Sequence, residues 1–184
     1  GGTGGALVAE LTRRGLLVRA VSRSGAAGGL PTGTPTVAAD LADPAAVRRA
    51  IDGASVVHHT ANPPYQRWLA EFPAMNAAIT TAVADAGAKL VFADNLYMYG
   101  PTDSALRETT PQRATDRKGQ LRIRLAADLL EAHAAGRLRV AIGRSSDYFG
   151  PGGRSSSIGE QLFEAALAGK PARWLGSADM PHSV

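Results

Sequence analysis

Gly1-Gly2-Thr3-Gly4-Gly5 runs straight into Ala6-Leu7-Val8-Ala9-Glu10-Leu11. Leu7, Val8 and Leu11 recur at helical spacing, so the glycines open a helix. Gly15 stands where a left-handed residue closes one. Glycines ahead of a helix let the backbone approach a ligand closely. The helix N-terminus then offers free N–H groups and a positive dipole end to a pyrophosphate. Alone the run is a weak signal, because glycines also build ordinary turns. It is two residues shorter than a Gly-Gly-Thr-Gly-x-x-Gly pattern, and no strand precedes it in the sequence. Either the loop is a variant or residues are omitted. The intact alternation downstream favours omission, and with it a longer parent chain.

Leu16 to Val21 (LLVRAV) reads as a buried strand, residues 24–34 as a Gly/Ser/Pro loop, and Pro35 to Ala39 as a short strand. Asp43 suits an N-cap and Pro44 the first helical position, with Val47, Ala50 and Ile51 apolar and Gly53 as the stop. Ala54 to His58 and Lys89 to Ala93 read as strands on either side of a helix from Trp68 to about Ala86. Leu121, Leu125, Leu129 and Ala126, Leu130, His133 mark a helix that ends at Gly136, before the strand Leu138 to Ile142. Ser157-x-x-Glu160 has the capping-box pattern of one more helix, ending at Gly169, and Ala172 to Leu175 reads as a small strand. Alternating strands and helices with continuous apolar strands predict an α/β fold: a doubly wound Rossmann-type parallel sheet with helices on both faces. The expected division is a dinucleotide-binding domain over 1–150, lacking its first strand, and the start of a substrate region over 151–184.

The chain has 184 residues, 45% of them hydrophobic and 20% charged, the balance of a chain that can bury a core. It has no cysteine, which excludes disulfides, thiolate metal sites and cysteine nucleophiles. No apolar run approaches the ~18 residues of a membrane span. The net charge of +4 comes from scattered cations, and aromatics are only 5%. A nucleic-acid binder concentrates its cations on one face, so no nucleic acid is expected as a partner. His58 and His59, adjacent on a strand, point to opposite faces, so no metal site is expected there.

A dinucleotide site usually carries an acid about 20 residues after its glycines, at the end of the second strand, for the adenosine ribose. That place is held by Ser22-Arg23-Ser24. An acid repels a 2′-phosphate whereas Arg23 and its serines bind one, so NADP is expected ahead of NAD. The plainer reading of Arg23 is a surface residue after a strand.

Together these segments resemble the extended short-chain dehydrogenase/reductases, the NAD-dependent epimerase/dehydratase family. The resemblance rests on the Gly-Gly-Thr-Gly start, on Asp40-Leu41, on His58-His59-Thr60-Ala61, and on Asn76 in the following helix. It rests further on Asp94-Asn95-Leu96-Tyr97-Met98-Tyr99-Gly100, against the family's Ser-Ser-x-x-Val-Tyr-Gly, and on Arg144 to Pro151. It implies that Gly1, Gly2, Thr3, Gly4 and Gly5 hold the pyrophosphate. Arg23 would lie beside the adenosine ribose, and Asp40 and Leu41 beside adenine. Thr60, Ala61 and Asn62 would border the nicotinamide ribose, and Lys118 would bond its hydroxyls. Ser146 to Phe149, with Tyr148 between them, would lie near the nicotinamide amide. Asn76 reads as a structural hydrogen-bonder.

The family's chemistry uses a Tyr four residues before a Lys on one helix, and a Ser or Thr after the preceding strand. Lys118 matches the Lys, but Ala114 stands four residues earlier and Asn95 at the Ser position. Asn95 can donate a hydrogen bond but transfers no proton near neutral pH. Tyr97 is the substitute acid in this reading and Tyr148 the second candidate, so the catalytic set is Tyr97, Lys118 and Asn95. The expectation is a cytoplasmic NAD(P)-dependent oxidoreductase or epimerase with an atypical site. It would move hydride between nicotinamide and a carbonyl or alcohol carbon of a small molecule. The resemblance leaves room for a homodimer. The competing reading is a non-catalytic NAD(P)-binding sensor or scaffold.

Overall fold

The structure is a computed structural model that describes residues 1–171 except 27, 149, 151, 154, 155, 157 and 158. The expectations for Phe149, Ser157 and the strand at Ala172 to Leu175 lie outside the described residues.

Helix α1 spans Gly2–Arg13, with Gly1 as N-cap. The glycines therefore form the helix's first turn rather than a loop ahead of it. Only Gly1 remains outside, and none of Gly1 to Gly5 has a positive φ. Gly15, at φ 75°, ends the helix, with Leu16 N–H bonded back to Leu11 O at 3.1 Å. Strand β1 covers only Ala20–Ser22, not the expected Leu16 to Val21. Leu16 is 54% and Leu17 104% exposed, and β1 pairs with β2 on one edge.

Strand β2 is Thr36–Ala38 and helix α2 is Pro44–Ala50, where the Asp43 carboxylate accepts the Ala45 N–H at 2.9 Å. Strand β3 (Val56–His59) leads through a 3-10 turn at Tyr65–Arg67 into α3 (Trp68–Asp85). Strand β4 (Lys89–Asp94) leads through a second 3-10 turn, Tyr97–Tyr99, towards α4 (Arg117–Ala134). Strand β5 is Arg139–Arg144 and α5 is Glu160–Leu167. The N-cap of α5 is Gly159. On α4, Leu121, Leu125 and Ala126 are buried as expected. Leu130 is 49% exposed and His133 is exposed, while Arg122 and Ala132 take the inward places.

Every strand pair is parallel, as the alternation requires. β1 pairs with β2 (Ala20 opposite Thr36), and β4 lies between β3 and β5 (Leu90 opposite Val57 and Val140). The strands form two sheets rather than one, because β1 and β3 do not hydrogen-bond to each other. The core belongs to one side of that gap. Phe72, Val83, Leu90, Phe92, Leu121, Leu125 and Leu129 cluster with Val47 and Ile51, and no residue of α1, β1 or β2 joins them. Among the described residues no helix is long and apolar enough to cross a membrane.

Candidate active site

Parallel strands present their C-terminal ends at one edge of a sheet, and the loops leaving those ends converge. Arg23 follows β1, and Asp40 and Leu41 follow β2. Thr60, Ala61 and Asn62 follow β3, Asn95 and Tyr97 follow β4, and Ser146 and Tyr148 follow β5. All of these, with Gly1 to Gly5, line one open space of about 3020 Å3. A small-molecule pocket takes roughly 300–1,000 Å3. The excess is the gap between β1 and β3, whose edges line the same space. Lys118 stays outside that lining and meets it through Tyr65.

At the glycine end, the first intrahelical bond runs from Gly5 N–H to Gly1 O at 3.0 Å, so the N–H groups of Gly2, Thr3 and Gly4 lie ahead of it. A Cβ on Gly4 would stand 2.9 Å from Thr60 Oγ1, and one on Gly2 would stand 2.7 Å from Gly152 O. The start of α1 is thus seated between the loop after β3 and the chain beyond β5. Such a cradle fits a phosphate group. Arg23 is exposed and lines the same space. Asp40 Oδ1 accepts the Ala42 N–H at 3.0 Å, so this carboxylate closes its own turn.

The other end holds the proton-bearing groups. Asn95 Oδ1 accepts the Tyr97 N–H at 3.1 Å, which leaves the Asn95 NH2 group as the donor. Tyr97 is 41% exposed. Burial pushes its phenol up to about 12, helped by the charge and side-chain hydrogen bond of Tyr65 and by the charge of Asp147, and opposed by Arg122. At neutral pH Tyr97 is therefore a hydrogen-bond donor. Tyr148 is also 41% exposed.

Ala114 corrects the helical reading of its spacing to Lys118. Helix α4 starts at Arg117 behind the N-cap Asp116, so Ala114 lies in the loop before it, 2% exposed. A Cβ on Gly119 would collide with the Ala114 Cβ, and one on Gly100 would stand 3.3 Å from the Ala114 Cα. Position 114 is a packing contact beside two glycines, and its alanine carries no titratable group.

Five residues to which the sequence reading gave no site role carry much of the site. Arg122 is 2% exposed, with its guanidinium 4.3 Å from the Trp68 ring centroid and 4.4 Å from that of Phe72. It donates to Asp94 Oδ1 at 3.3 Å and to Asn62 Oδ1 at 2.9 Å. Arg144 Nε lies 3.6 Å from Asp94 Oδ2. Burial pushes the Asp94 carboxyl up, against the Asn95 N–H, Arg122 and Arg144, which hold it down. Beneath the loops, two guanidinium groups thus face one carboxylate. Trp68 and Tyr65 complete the set, with ring centroids 5.1 Å apart. Lys118 Nζ lies 2.9 Å from the Tyr65 centroid. Arg122 was legible as a cation inside an apolar helical stripe, and Tyr65 as an aromatic after Asn62-Pro63-Pro64 at a strand end.

The family model described as "NAD dependent epimerase/dehydratase family" matches residues 1–180. No curated protein matches the chain. Among solved structures it is similar to the UDP-glucose 4-epimerase of Thermus thermophilus in complex with NAD. That match has a TM-score of 0.73 and 23% identity, over 91% of this chain and 60% of the other. It is similar to the Bordetella bronchiseptica enzyme WbmG in complex with NAD and UDP, at TM-score 0.75 and 18% identity, over 92% and 57%. It is also similar to MoeE5 in complex with UDP-glucose and NAD, at TM-score 0.72 and 26% identity, over 90% and 58%. The chain thus spans less than two thirds of the length of these structures.

Proposed function

The chain belongs to the NAD-dependent epimerase/dehydratase family, and from that premise we propose that it binds a nicotinamide dinucleotide and uses it for hydride transfer at a carbonyl or alcohol carbon of a small molecule. The observation that carries this is the convergence of the segments after all five strands, together with the start of α1, on one space. The ligands named for the similar structures favour a nucleotide-linked sugar as substrate.

The N–H groups of Gly2, Thr3 and Gly4 would hold the pyrophosphate at the positive end of α1. Arg23 would sit at the adenosine ribose, with Asp40 and Leu41 beside adenine. The structures above name NAD, whereas Arg23 suits the extra phosphate of NADP, so NADP preference is part of the proposal. Thr60 to Asn62 would bond the nicotinamide ribose, and Lys118, which lies behind Tyr65, would reach its hydroxyls only by leaving that ring; Ser146 and Tyr148 would border the amide. The bound dinucleotide supplies a hydride donor and acceptor. Asn95 and Tyr97 would hold the substrate oxygen by donated hydrogen bonds.

Calorimetric titration of NAD and of NADP into the protein tests the binding step, with NADP expected to bind more tightly. Heat from neither dinucleotide would sink the reading. A second reading, a dinucleotide-binding sensor without turnover, draws on the buried Ala114. It predicts binding with no conversion of UDP-glucose.

A further inference from the structure

Arg122 comes from α4 and is 2% exposed. Its guanidinium lies over two rings, 4.3 Å from the Trp68 centroid and 4.4 Å from that of Phe72. One arm of the fork, Nη1, donates to Asp94 Oδ1 at 3.3 Å. The other arm, Nη2, donates to Asn62 Oδ1 at 2.9 Å. Asn62 is itself exposed and lines the open space. A buried cation thus grips a side chain at the surface of the site.

The backbone around Asn62 is constrained as well. Pro63 and Pro64 follow it, and a residue before a proline is pushed towards extended conformations. Trp68 Nε1 donates to the Pro63 carbonyl oxygen at 3.0 Å, so the ring that Arg122 stacks on also ties down the next residue of the loop. A guanidinium carries donors and no acceptor, so the amide atom that meets it is the oxygen. The Asn62 NH2 group is thereby kept for a ligand, and offered as a donor.

We propose that Arg122 is a positioning residue, which holds Asn62 by its carbonyl oxygen and so presents the Asn62 NH2 group to an oxygen of the bound dinucleotide. This rests on the dinucleotide-binding reading above. Asp94 offsets the cost of burying the guanidinium, and Arg144 Nε shares that carboxylate from 3.6 Å. The two acceptors belong to different elements, Asp94 to the end of β4 and Asn62 to the loop after β3. A planar fork spans both. An ammonium is a point charge that would settle on the carboxylate and release the amide. An amide already held in one orientation loses little rotamer freedom when it binds.

The first test needs no ligand. Nitrogen-15 relaxation of the Asn62 side-chain NH2 group, assigned by its absence from Asn62→Ala, should show a restrained amide in the parent and a freely moving one in Arg122→Lys. Equal mobility in the two proteins would overturn the proposal. Should Arg122→Lys fail to fold, two variants at the exposed position decide. Asn62→Asp keeps an acceptor for Arg122 and adds a charge to it, so it should melt about 2–4 °C above Asn62→Ala. Equal melting temperatures would remove the tether.

The second test is calorimetric titration of NAD and of NADP. Arg122→Lys should weaken binding about tenfold, the worth of one hydrogen bond, and Asn62→Ala by about as much. Added to Asn62→Ala, Arg122→Lys should weaken binding no further, since both act through one contact. Penalties that multiply would mean that Arg122 serves the fold alone, and the positioning role would be lost. If the parent protein binds neither dinucleotide, the reading above fails instead, and the relaxation and melting measurements decide whether Arg122 holds Asn62.

Discussion

His59 is 3% exposed, with neither ring nitrogen hydrogen-bonded and its ring edge-on to Phe92 at 5.2 Å and Phe72 at 6.1 Å. Burial, and then the charge of Arg122, pull its imidazole from 6.5 down to about 4. The unfolded chain therefore binds a proton between these values that the folded chain refuses. This contribution to stability is complete above about pH 6.5 and is lost progressively as pH falls from there to about 4, by about 3 kcal/mol. His58, half-buried, is shifted in the same direction by burial. Urea midpoints at about pH 7 and about pH 4.5 should differ accordingly, and His59→Leu should remove most of the difference. The residue types at the strand ends were legible in the sequence, and so was the opposite facing of the two histidines. The pairings were not. Asp94 meets Arg122 and Arg144 from 28 and 50 places away; the parallel register of β4 and β5 sets Arg144 opposite it, and the packing of α4 brings Arg122.

The elements whose stop and start signals are local stood out in the sequence. Asp43 caps α2 as its pattern requires, and Gly15, Gly53, Gly87 and Gly136 all take the left-handed conformation that ends a helix. Leu16 to Val18 misled, because an apolar run becomes a strand only when another strand lies alongside it. Helix α4 offers a direct comparison of two effects at one terminus. Asp116 Oδ1 accepts the N–H groups of Lys118 and Gly119, each at 2.9 Å, so Asp116→Ala should cost about 1 kcal/mol. A Cβ on Gly119 would stand 2.8 Å from the Tyr97 carbonyl oxygen and press on Ala114. Gly119→Ala should therefore cost about 1–3 kcal/mol, despite the better helix propensity of alanine. Thermal unfolding of the two variants ranks the effects. A Gly119→Ala protein as stable as the parent would mean that the loop yields without strain.

At the scale of the whole molecule, the parallel α/β architecture was legible, because it needs only the order of elements. Helix α1, β1 and β2 carry the glycine cradle and Arg23, yet they contribute nothing to the main core. Amide hydrogen exchange should find Ala20–Ser22 and Thr36–Ala38 opening at lower free energy than Leu90 and Phe92, which are 0% and 1% exposed. A dinucleotide seated on α1 and on the loops after β3 to β5 would join the two parts, and the exchange of β1 and β2 should slow when it binds. A ligand held by the start of α1 and by the loops after β3 to β5 together would report the ordering of α1, β1 and β2 in a negative heat-capacity change larger than its own buried surface accounts for.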